Sequence, residues 1–245
     1  MPETFDQPSL RPAPRAQSFS GRLLLLLISL PILLSVSGCD FNVKNLAKND
    51  VDMIVDQHIL ELKSLTDRLM VKLYKRNPRE LAKAPQRTVN QRLRQLSSIP
   101  PNYRFAELSN KQGEAALELA FQPDYSGDRV FAFMVGLNSM LHASYNMQTE
   151  LFLLDQLDQQ LLYNSARNLE IINWRMNNFK RFDSKPYLLS NGYHNGIANL
   201  SFERLFGKMI LIQDMMAKVV ADKNNRTISA VIHSVASTTL LPIPF

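Results

Sequence analysis

The sequence predicts an all-α protein, a single irregular bundle of about six to seven helices with one longer turn-rich loop. Apolar residues recur every three to four positions over long stretches, which is the spacing of one face of an α-helix. Glycine is scarce, since only six of the eight glycines follow residue 38, and a turn-rich β-sandwich needs more of them. We therefore expect a helical domain that covers residues 49–245.

The first predicted helix begins at Asn49 or Asp50, either of which can cap it, and runs to about Arg76. It ends there because the pair Asn77-Pro78 does not continue a helix. One apolar stripe marks its buried face: Val51, Val55, His58, Leu62, Leu65 and Leu69. This is the pattern of a long amphipathic helix.

Three further helices are expected at about residues 88–97, 113–121 and 128–146. Prolines bracket the first of them, and Pro123 ends the second. The third is apolar on nearly all sides, so it should be a central, buried helix.

Two long helices follow, at about residues 151–180 and 200–223. The loop between them, residues 184–198, contains two Asn-Gly pairs, which are strong turn signals. A last helix is expected at about residues 227–239, before an apolar tail.

Residues 22–39 have the layout of an export signal, with Arg22 before an apolar run that ends in small residues. The run Leu23 to Val36 is 14 residues long, shorter than the roughly 20 that a membrane-spanning helix needs. Its last residues, Val-Ser-Gly-Cys, resemble the lipobox of bacterial lipoproteins, which signal peptidase II cuts between Gly38 and Cys39. The resemblance implies that residues 1–38 are removed and that residues 39–48 form a lipidated tether.

Lipidation of Cys39 implies a location in the cell envelope, facing the periplasm. Two or three acyl chains, palmitate among them, would hold the protein on a membrane permanently, because a single chain binds only marginally. Asp40 resembles the signal that retains such proteins in the inner membrane. The inner and outer membranes stay open as alternatives, with the inner one favoured. Cys39 is the single cysteine, so disulfides and thiol catalysis are excluded from the domain.

Charge is concentrated in one segment. After residue 38 the chain has 25 Lys and Arg against 20 Asp and Glu, and residues 68–94 hold nine of these cations with Glu80 as the one acid. A basic surface is predicted from Arg68, Lys72, Lys75, Arg76, Arg79, Lys83 and Arg87. Its expected partners are anionic lipid headgroups or an acidic envelope protein. A solvated helix face without a ligand is the open alternative, and nucleic acid is not expected in this compartment.

Catalytic and metal-binding motifs are missing from the sequence, so no enzyme, cofactor or metal site is predicted. His58 and Glu61 stand three residues apart on the first helix, but a core histidine explains that position better. Asp155 and Asp158 could form a carboxylate pair for acid and base catalysis, although acids near a helix start are more often caps. An envelope hydrolase using these carboxylates is the alternative function.

The sequence also indicates a candidate binding loop and a structural ion network. Tyr193 and His194, between the two Asn-Gly turns, form a candidate binding loop because loops often carry function. A structural ion network that locks three helices is expected from Asp128, Arg129, Arg167, Glu170, Glu203 and Arg204.

Residues 127–132, 162–170 and 199–208 read GDRVFA, LYNSARNLE and NLSFERLFGK. These segments resemble an uncharacterised family of proteobacterial lipoproteins, and the likeness spans roughly residues 76–241. The resemblance implies a Gram-negative setting and assigns no catalytic residue. We therefore expect a lipid-anchored envelope protein with a binding, scaffolding or accessory role at the membrane surface.

Overall fold

Seven α-helices and one two-stranded hairpin make up the part of the chain that the computed structural model describes, residues 50–98, 102–148, 157–229 and 239–244. The helices are α1 Asp50–Arg76, α2 Pro78–Ala82, α3 Val89–Leu96, α4 Gly113–Phe121, α5 Arg129–Ser144, α6 Gln159–Asn178 and α7 Ser201–Lys223. This confirms the all-α prediction. The predicted signal peptide and tether, with Gly38 and Cys39, lie outside the described residues.

Helix α1 has the bounds that the sequence predicts. Its buried side chains include Val55, Leu62, Leu65 and Leu69, which fall on one face. The helix stops at Arg76, and the proline two residues later opens α2, where its missing N–H costs nothing.

Helix α3 begins with a reciprocal capping arrangement. Thr88 Oγ1 accepts a hydrogen bond from Gln91 N at 3.2 Å, and Gln91 Oε1 accepts one from Thr88 N at 2.7 Å. These two bonds satisfy backbone donors that a helix start otherwise leaves free. The helix agrees with its prediction to within one residue at each end.

Helix α5 is the centre of the bundle, as predicted. All of its residues except Asn138 and His142 are buried. Helix α4 packs closely against it at Gly136, where an added Cβ would lie 2.5 Å from Leu117 Cγ and 2.7 Å from Gly113 O. Glycine at this position therefore lets the two helix backbones approach.

Helix α6 begins later than predicted. The Asp158 carboxylate accepts hydrogen bonds from the backbone N–H groups of Gln160, at 2.7 Å, and Leu161, at 3.3 Å. It is therefore the N-cap, and Leu157 and Asp158 themselves are not helical. The expectation of one unbroken helix from Leu151 is wrong for this reason.

Helices α1 and α7 run antiparallel. Near the start of α1, His58 Nδ1 lies 2.8 Å from Met216 Sδ in the second half of α7. Near its end, Lys72 Nζ lies 4.7 Å from the centroid of the Phe202 ring at the start of α7. The last turns of α1 therefore lie beside the first turns of α7.

The turn-rich loop contains a hairpin that the sequence analysis does not predict. Strand β1, Gly192–His194, pairs antiparallel with β2, Ile197–Asn199. Asn195 and Gly196 connect them with φ angles of 51° and 79°, the two positive values that a tight hairpin turn requires.

The C-terminal tail packs on α6. Asn168 Oδ1 accepts a hydrogen bond from Leu241 N at 2.6 Å, and Asn168 Nδ2 donates one to Leu241 O at 2.9 Å. Leu240 and Ile243 are buried. The predicted last helix is wrong at residues 227–229, which are not helical, and residues 230–238 lie outside the described range. All seven helices belong to one compact unit.

Candidate functional site

An open groove of roughly 550 Å³ lies between α1 and α7. Its lining residues are Asp67, Arg68, Val71, Lys72, Ser201, Arg204, Leu205 and Lys208. Four of these are cations and one is an acid, and Val71 and Leu205 contribute apolar surface.

The convergence of four cations follows from helical spacing and from the antiparallel packing. Arg68 and Lys72 stand four residues apart near the end of α1, and Arg204 and Lys208 stand four apart near the start of α7. Residues at this spacing share one helix face. The packing of α7 on α1 then places both pairs along the same groove.

Three of the four cations have no carboxylate within salt-bridge distance in the described part of the chain: Lys72, Arg204 and Lys208. Arg68 does have one, since its Nη2 lies 2.9 Å from Glu61 Oε1. The groove's single acid, Asp67, is held by Lys63 Nζ at 2.6 Å. The groove therefore carries uncompensated positive charge.

The surroundings of Lys72 in this groove are unfavourable for its positive charge. Burial, and then the charge of Arg204, lower the pKa of Lys72 below its ordinary value. Its ammonium also contacts the ring of Phe202, a cation–π arrangement. An anion placed in the groove would relieve the repulsion between Lys72 and Arg204.

The rest of the predicted basic surface divides into two kinds of residue. Lys75, Arg76, Arg79 and Arg87 are exposed, and Arg76 Nη2 lies against Gly192 of β1, where a Cβ would meet it at 2.9 Å. Lys83 is already engaged, because its Nζ lies 2.8 Å from Glu80 Oε2 and 3.0 Å from Gly127 O. Lys83 therefore lies at the surface as predicted, but Glu80 neutralises its charge, so it adds little to the basic surface.

Arg92, one of the nine cations of residues 68–94, is completely buried. Its guanidinium lies 2.5 Å from Glu107 Oε1 and 3.4 Å from Asp128 Oδ2, and it covers the ring of Phe131 at 3.9 Å. Tyr74 donates a further hydrogen bond to Asp128 at 2.8 Å. Arg92 therefore contributes to the core and adds nothing to the surface charge.

Two members of this cluster, Asp128 and Tyr74, have raised pKa values. Burial raises the pKa of Asp128, although the Phe131 N–H, the Tyr74 hydroxyl and Arg92 all favour its ionised form. Burial and the neighbouring Asp128 raise the pKa of Tyr74. A buried charge cluster of this kind is stable only while each charge keeps its partner.

Arg129 has a structural role at the end of α4. Its Nη1 donates to the carbonyls of Ala120, at 2.9 Å, and Gln122, at 2.7 Å, and its Nη2 donates to Tyr125 O at 2.7 Å. Carbonyls at a helix C-terminus lack partners within the helix. Arg129 supplies those partners and is not available to an ion network.

The six residues of the predicted ion network do not come together, so that prediction is wrong. Arg167 Nη2 does contact Glu170 Oε1 at 3.1 Å, and it also contacts Asp214 Oδ2 at 2.7 Å, which joins α6 to α7. Asp128 and Arg129 are engaged as described above, and Arg204 lines the groove. The charges of these residues alone do not predict which partner each side chain contacts in the folded protein.

Glu203 lies in an amide cluster that the sequence analysis missed. Its carboxylate accepts hydrogen bonds from Asn173 at 2.5 Å, Asn177 at 2.9 Å and Asn191 at 2.7 Å. Asn173 and Asn177 are four residues apart on α6, a spacing that could have suggested a shared polar face. The cluster fixes the loop before β1 to α6 and α7.

Within the predicted binding loop, Tyr193 and His194 lie in β1. The Tyr193 side chain is 83% exposed and stands opposite Ala198 of β2. Ile197 and Leu200 nearby are also exposed. The hairpin is displayed on the surface, and its base lies beside Arg76.

The candidate metal and carboxylate pairs do not form sites among the described residues. His58 contacts Met216 while Glu61 pairs with Arg68, and burial lowers the pKa of His58. Asp158 caps α6, and Asp155 lies outside the described range. In the described ranges, no group of three or more His, Cys, Asp or Glu residues could hold a metal ion. Over those same ranges, no helix is long and apolar enough to span a membrane.

Fold and groove together define a helical protein with an open cationic site between two antiparallel helices. Comparison of the chain with protein-family models, with curated proteins and with solved structures gives no significant match in any of the three.

Proposed function

We propose that this chain is a lipid-anchored cell-envelope protein whose helical, periplasm-facing domain binds at the membrane surface. The observation that carries the proposal is the convergence of four cations from α1 and α7 on one groove, three of them without a carboxylate within salt-bridge distance among the described residues. Exposed Lys75 and Arg76 in the last turn of α1, and exposed Arg79 in α2, add further positive charge at this end of α1. Each well-placed cation near anionic headgroups contributes about 1 kcal/mol. The domain acts as a binding or accessory module.

The expected lipid anchor restricts how the domain sits on the bilayer. The tether of residues 40–48 reaches about 30 Å when extended. Lys72 lies about 33 Å along α1 from its first residue, since a helix rises about 1.5 Å per residue. The cations therefore reach the headgroups when α1 lies along the bilayer rather than upright on it.

The exposed face of α1 suits this arrangement. Met53, Ile54 and Leu60 are large, apolar and exposed in the part of α1 nearest the tether, and the cations follow in its last turns. Helices with exposed apolar residues and Lys or Arg are typical of the membrane interface. The apolar side chains near the anchor would contact the membrane interface, and the cations further along α1 would contact the anionic headgroups. Both contacts would favour binding of the same face.

Co-sedimentation with vesicles tests the proposal. Residues 47–245, verified as helical by circular dichroism, are mixed with vesicles of phosphatidylglycerol or of phosphatidylcholine. We expect binding to phosphatidylglycerol that weakens as salt is added, because salt screens exposed charges. Changing Lys72, Lys75, Arg76 and Arg79 to Gln should reduce the association constant at least about tenfold.

The matched control neutralises four exposed cations elsewhere: Arg94, Arg104, Arg181 and Arg226. It should bind almost as well as the unchanged domain. Association that ignores salt, or that falls equally in both variants, would count against the proposal. Capture of an acidic envelope protein without any vesicle binding would replace the membrane by that partner.

A further inference from the structure

We propose that the groove between α1 and α7 binds one molecule of an anionic glycerophospholipid. The headgroup phosphate lies among Lys72, Arg204 and Lys208, and an acyl chain lies along the neighbouring exposed apolar side chains of α7. This inference rests on the proposed function and deepens it, because it names the ligand and the site.

The charged end of the site has the composition that a phosphate group requires. Lys72, Arg204 and Lys208 line one groove and have no carboxylate within salt-bridge distance among the described residues. Arg offers several N–H donors in a fixed fork, and Lys acts as a point charge, so together they bind phosphate oxygens well. Ser201, the first residue of α7, opens into the same groove.

The apolar end of the proposed site lies on α7, next to the cations along the same helix face. Arg204, Lys208, Leu211 and Met215 stand at positions i, i+4, i+7 and i+11, so they share one face of the helix. Leu211 is 58% exposed and Met215 is 46% exposed. They lie about 5 to 10 Å beyond Lys208 along the helix axis.

Helix α1 provides a second apolar contribution at the same end. Because α1 and α7 are antiparallel and His58 contacts Met216, the start of α1 lies beside the second half of α7. Leu60 stands seven residues before Asp67, which lines the groove, so the two share one face of α1, and Leu60 is 58% exposed. Cations thus occupy one end of this two-helix face and large apolar side chains occupy the other, which matches the headgroup and tail of an amphiphile.

Photo-crosslinking in a membrane tests this site. The full chain is reconstituted into phosphatidylcholine vesicles that contain phosphatidylglycerol with a photoreactive acyl chain. After irradiation, mass spectrometry locates the attached lipid. We expect attachment within residues 208–218 and near Leu60. The same label on phosphatidylcholine should attach much less at these positions.

Two variants and a competitor separate the possible outcomes. Arg204→Gln with Lys208→Gln should lower attachment about tenfold, while Arg94→Gln with Arg104→Gln should leave it unchanged. Removal of the attachment by glycerol 3-phosphate at a concentration equal to that of the labelled lipid would identify a free phosphorylated headgroup as the ligand and overturn the phospholipid assignment. Attachment spread evenly over the surface, or equal in both variants, would overturn the site.

Attachment is expressed per molecule of protein that co-sediments with the vesicles. Loss of attachment in the groove variant therefore cannot arise from loss of membrane association. Conversely, vesicle co-sedimentation can succeed when this site fails, so failure of the site is distinguished from failure of the proposed function.

Discussion

Asn77 and Leu189 are joined by a reciprocal pair of hydrogen bonds. Asn77 Nδ2 donates to Leu189 O at 2.9 Å, and Leu189 N donates to Asn77 Oδ1 at 2.8 Å. One side chain thus satisfies both backbone groups of a residue 112 positions away. The contact fixes the loop before β1 to the residue that follows α1, and the hairpin base accordingly lies beside Arg76.

Replacing Asn77 by Ala should destabilise the protein. The change removes both part-buried hydrogen bonds to the Leu189 backbone, and each such bond contributes about 0.5–1.5 kcal/mol net. We expect a loss of about 2 kcal/mol in the free energy of unfolding, measured by urea denaturation. Asn90→Ala, at an exposed position in α3, is the control and should change stability by less than about 0.5 kcal/mol. Equal effects of the two changes would refute the assignment.

Arg92→Met should be severely destabilising. It leaves the buried Asp128 carboxylate without its cation, and removing one partner of a buried ion pair costs about 3–5 kcal/mol. Arg94→Met, two residues along the same helix and exposed, should stay within about 0.5 kcal/mol of the unchanged protein. Chemical unfolding of both variants measures the difference. A mild effect at Arg92 would mean that the cluster is not held by its charges.

Gly136→Ala tests the close contact of α4 with α5. The added Cβ would meet Leu117 Cγ at 2.5 Å, so the helices must move apart, at a cost of about 1–3 kcal/mol. Gly207→Ala is a matched control, because no atom lies within 4 Å of its added Cβ. It should stabilise α7 by about 0.5–1 kcal/mol through helix propensity alone. A lower melting temperature for Gly136→Ala together with a higher one for Gly207→Ala would support the close packing. Changes of the same sign in both variants would contradict it.

Stability should fall as the pH drops below neutrality, in part because of His142. Burial lowers the pKa of His142 in the folded protein below 6.5, its value in an unfolded chain. The unfolded chain therefore binds more protons below that pH, which favours unfolding. His142→Phe removes this contribution and keeps a ring against Tyr103. The decrease in melting temperature between about pH 7.5 and about pH 5.5 should be smaller in the variant, and an unchanged decrease would contradict the account.

The long helices were predictable because their signals are local. The bounds of α1 follow from a polar residue at one end and a proline at the other, and the burial of α5 follows from its continuous apolar sequence. The start of α6 was placed too early because apolar periodicity extends upstream of Asp158. The capping preference of aspartate at position 158 is the local signal that marks the true start.

The site was only partly predictable. Arg68 and Lys72 were identified from the charge run, whereas their convergence with Arg204 and Lys208 depends on the antiparallel packing of helices far apart in sequence. Arg92 belongs to the basic run of residues 68–94, although it stands at helical spacing between Val89 and Leu96, on the face of α3 that carries these apolar residues. A cation in an apolar stripe needs a buried partner, and Asp128 is not local in the sequence.

The hairpin and the amide cluster were missed for a related reason. Two Asn-Gly pairs indicated turns, but strand pairing depends on a scaffold that holds the loop at both ends. Asn77, between α1 and α2, holds one part of the loop, and Glu203 of α7 holds another. Single hydrogen bonds between distant residues leave no periodic signal in a sequence.

The central claim, that the face formed by α1 and α7 contacts the bilayer, is tested most directly by the depth of site-specific labels. Cys39 is the only cysteine, and in the proposed mature protein its sulfur carries lipid, so an introduced cysteine takes a single fluorescent label. Labels at Leu211→Cys and Arg104→Cys are compared in the anchored protein on phosphatidylglycerol vesicles. The account predicts that lipid-borne quenchers reach the label at position 211 while water-soluble quenchers reach the label at position 104. Equal access at both positions, or the reverse pattern, would contradict it.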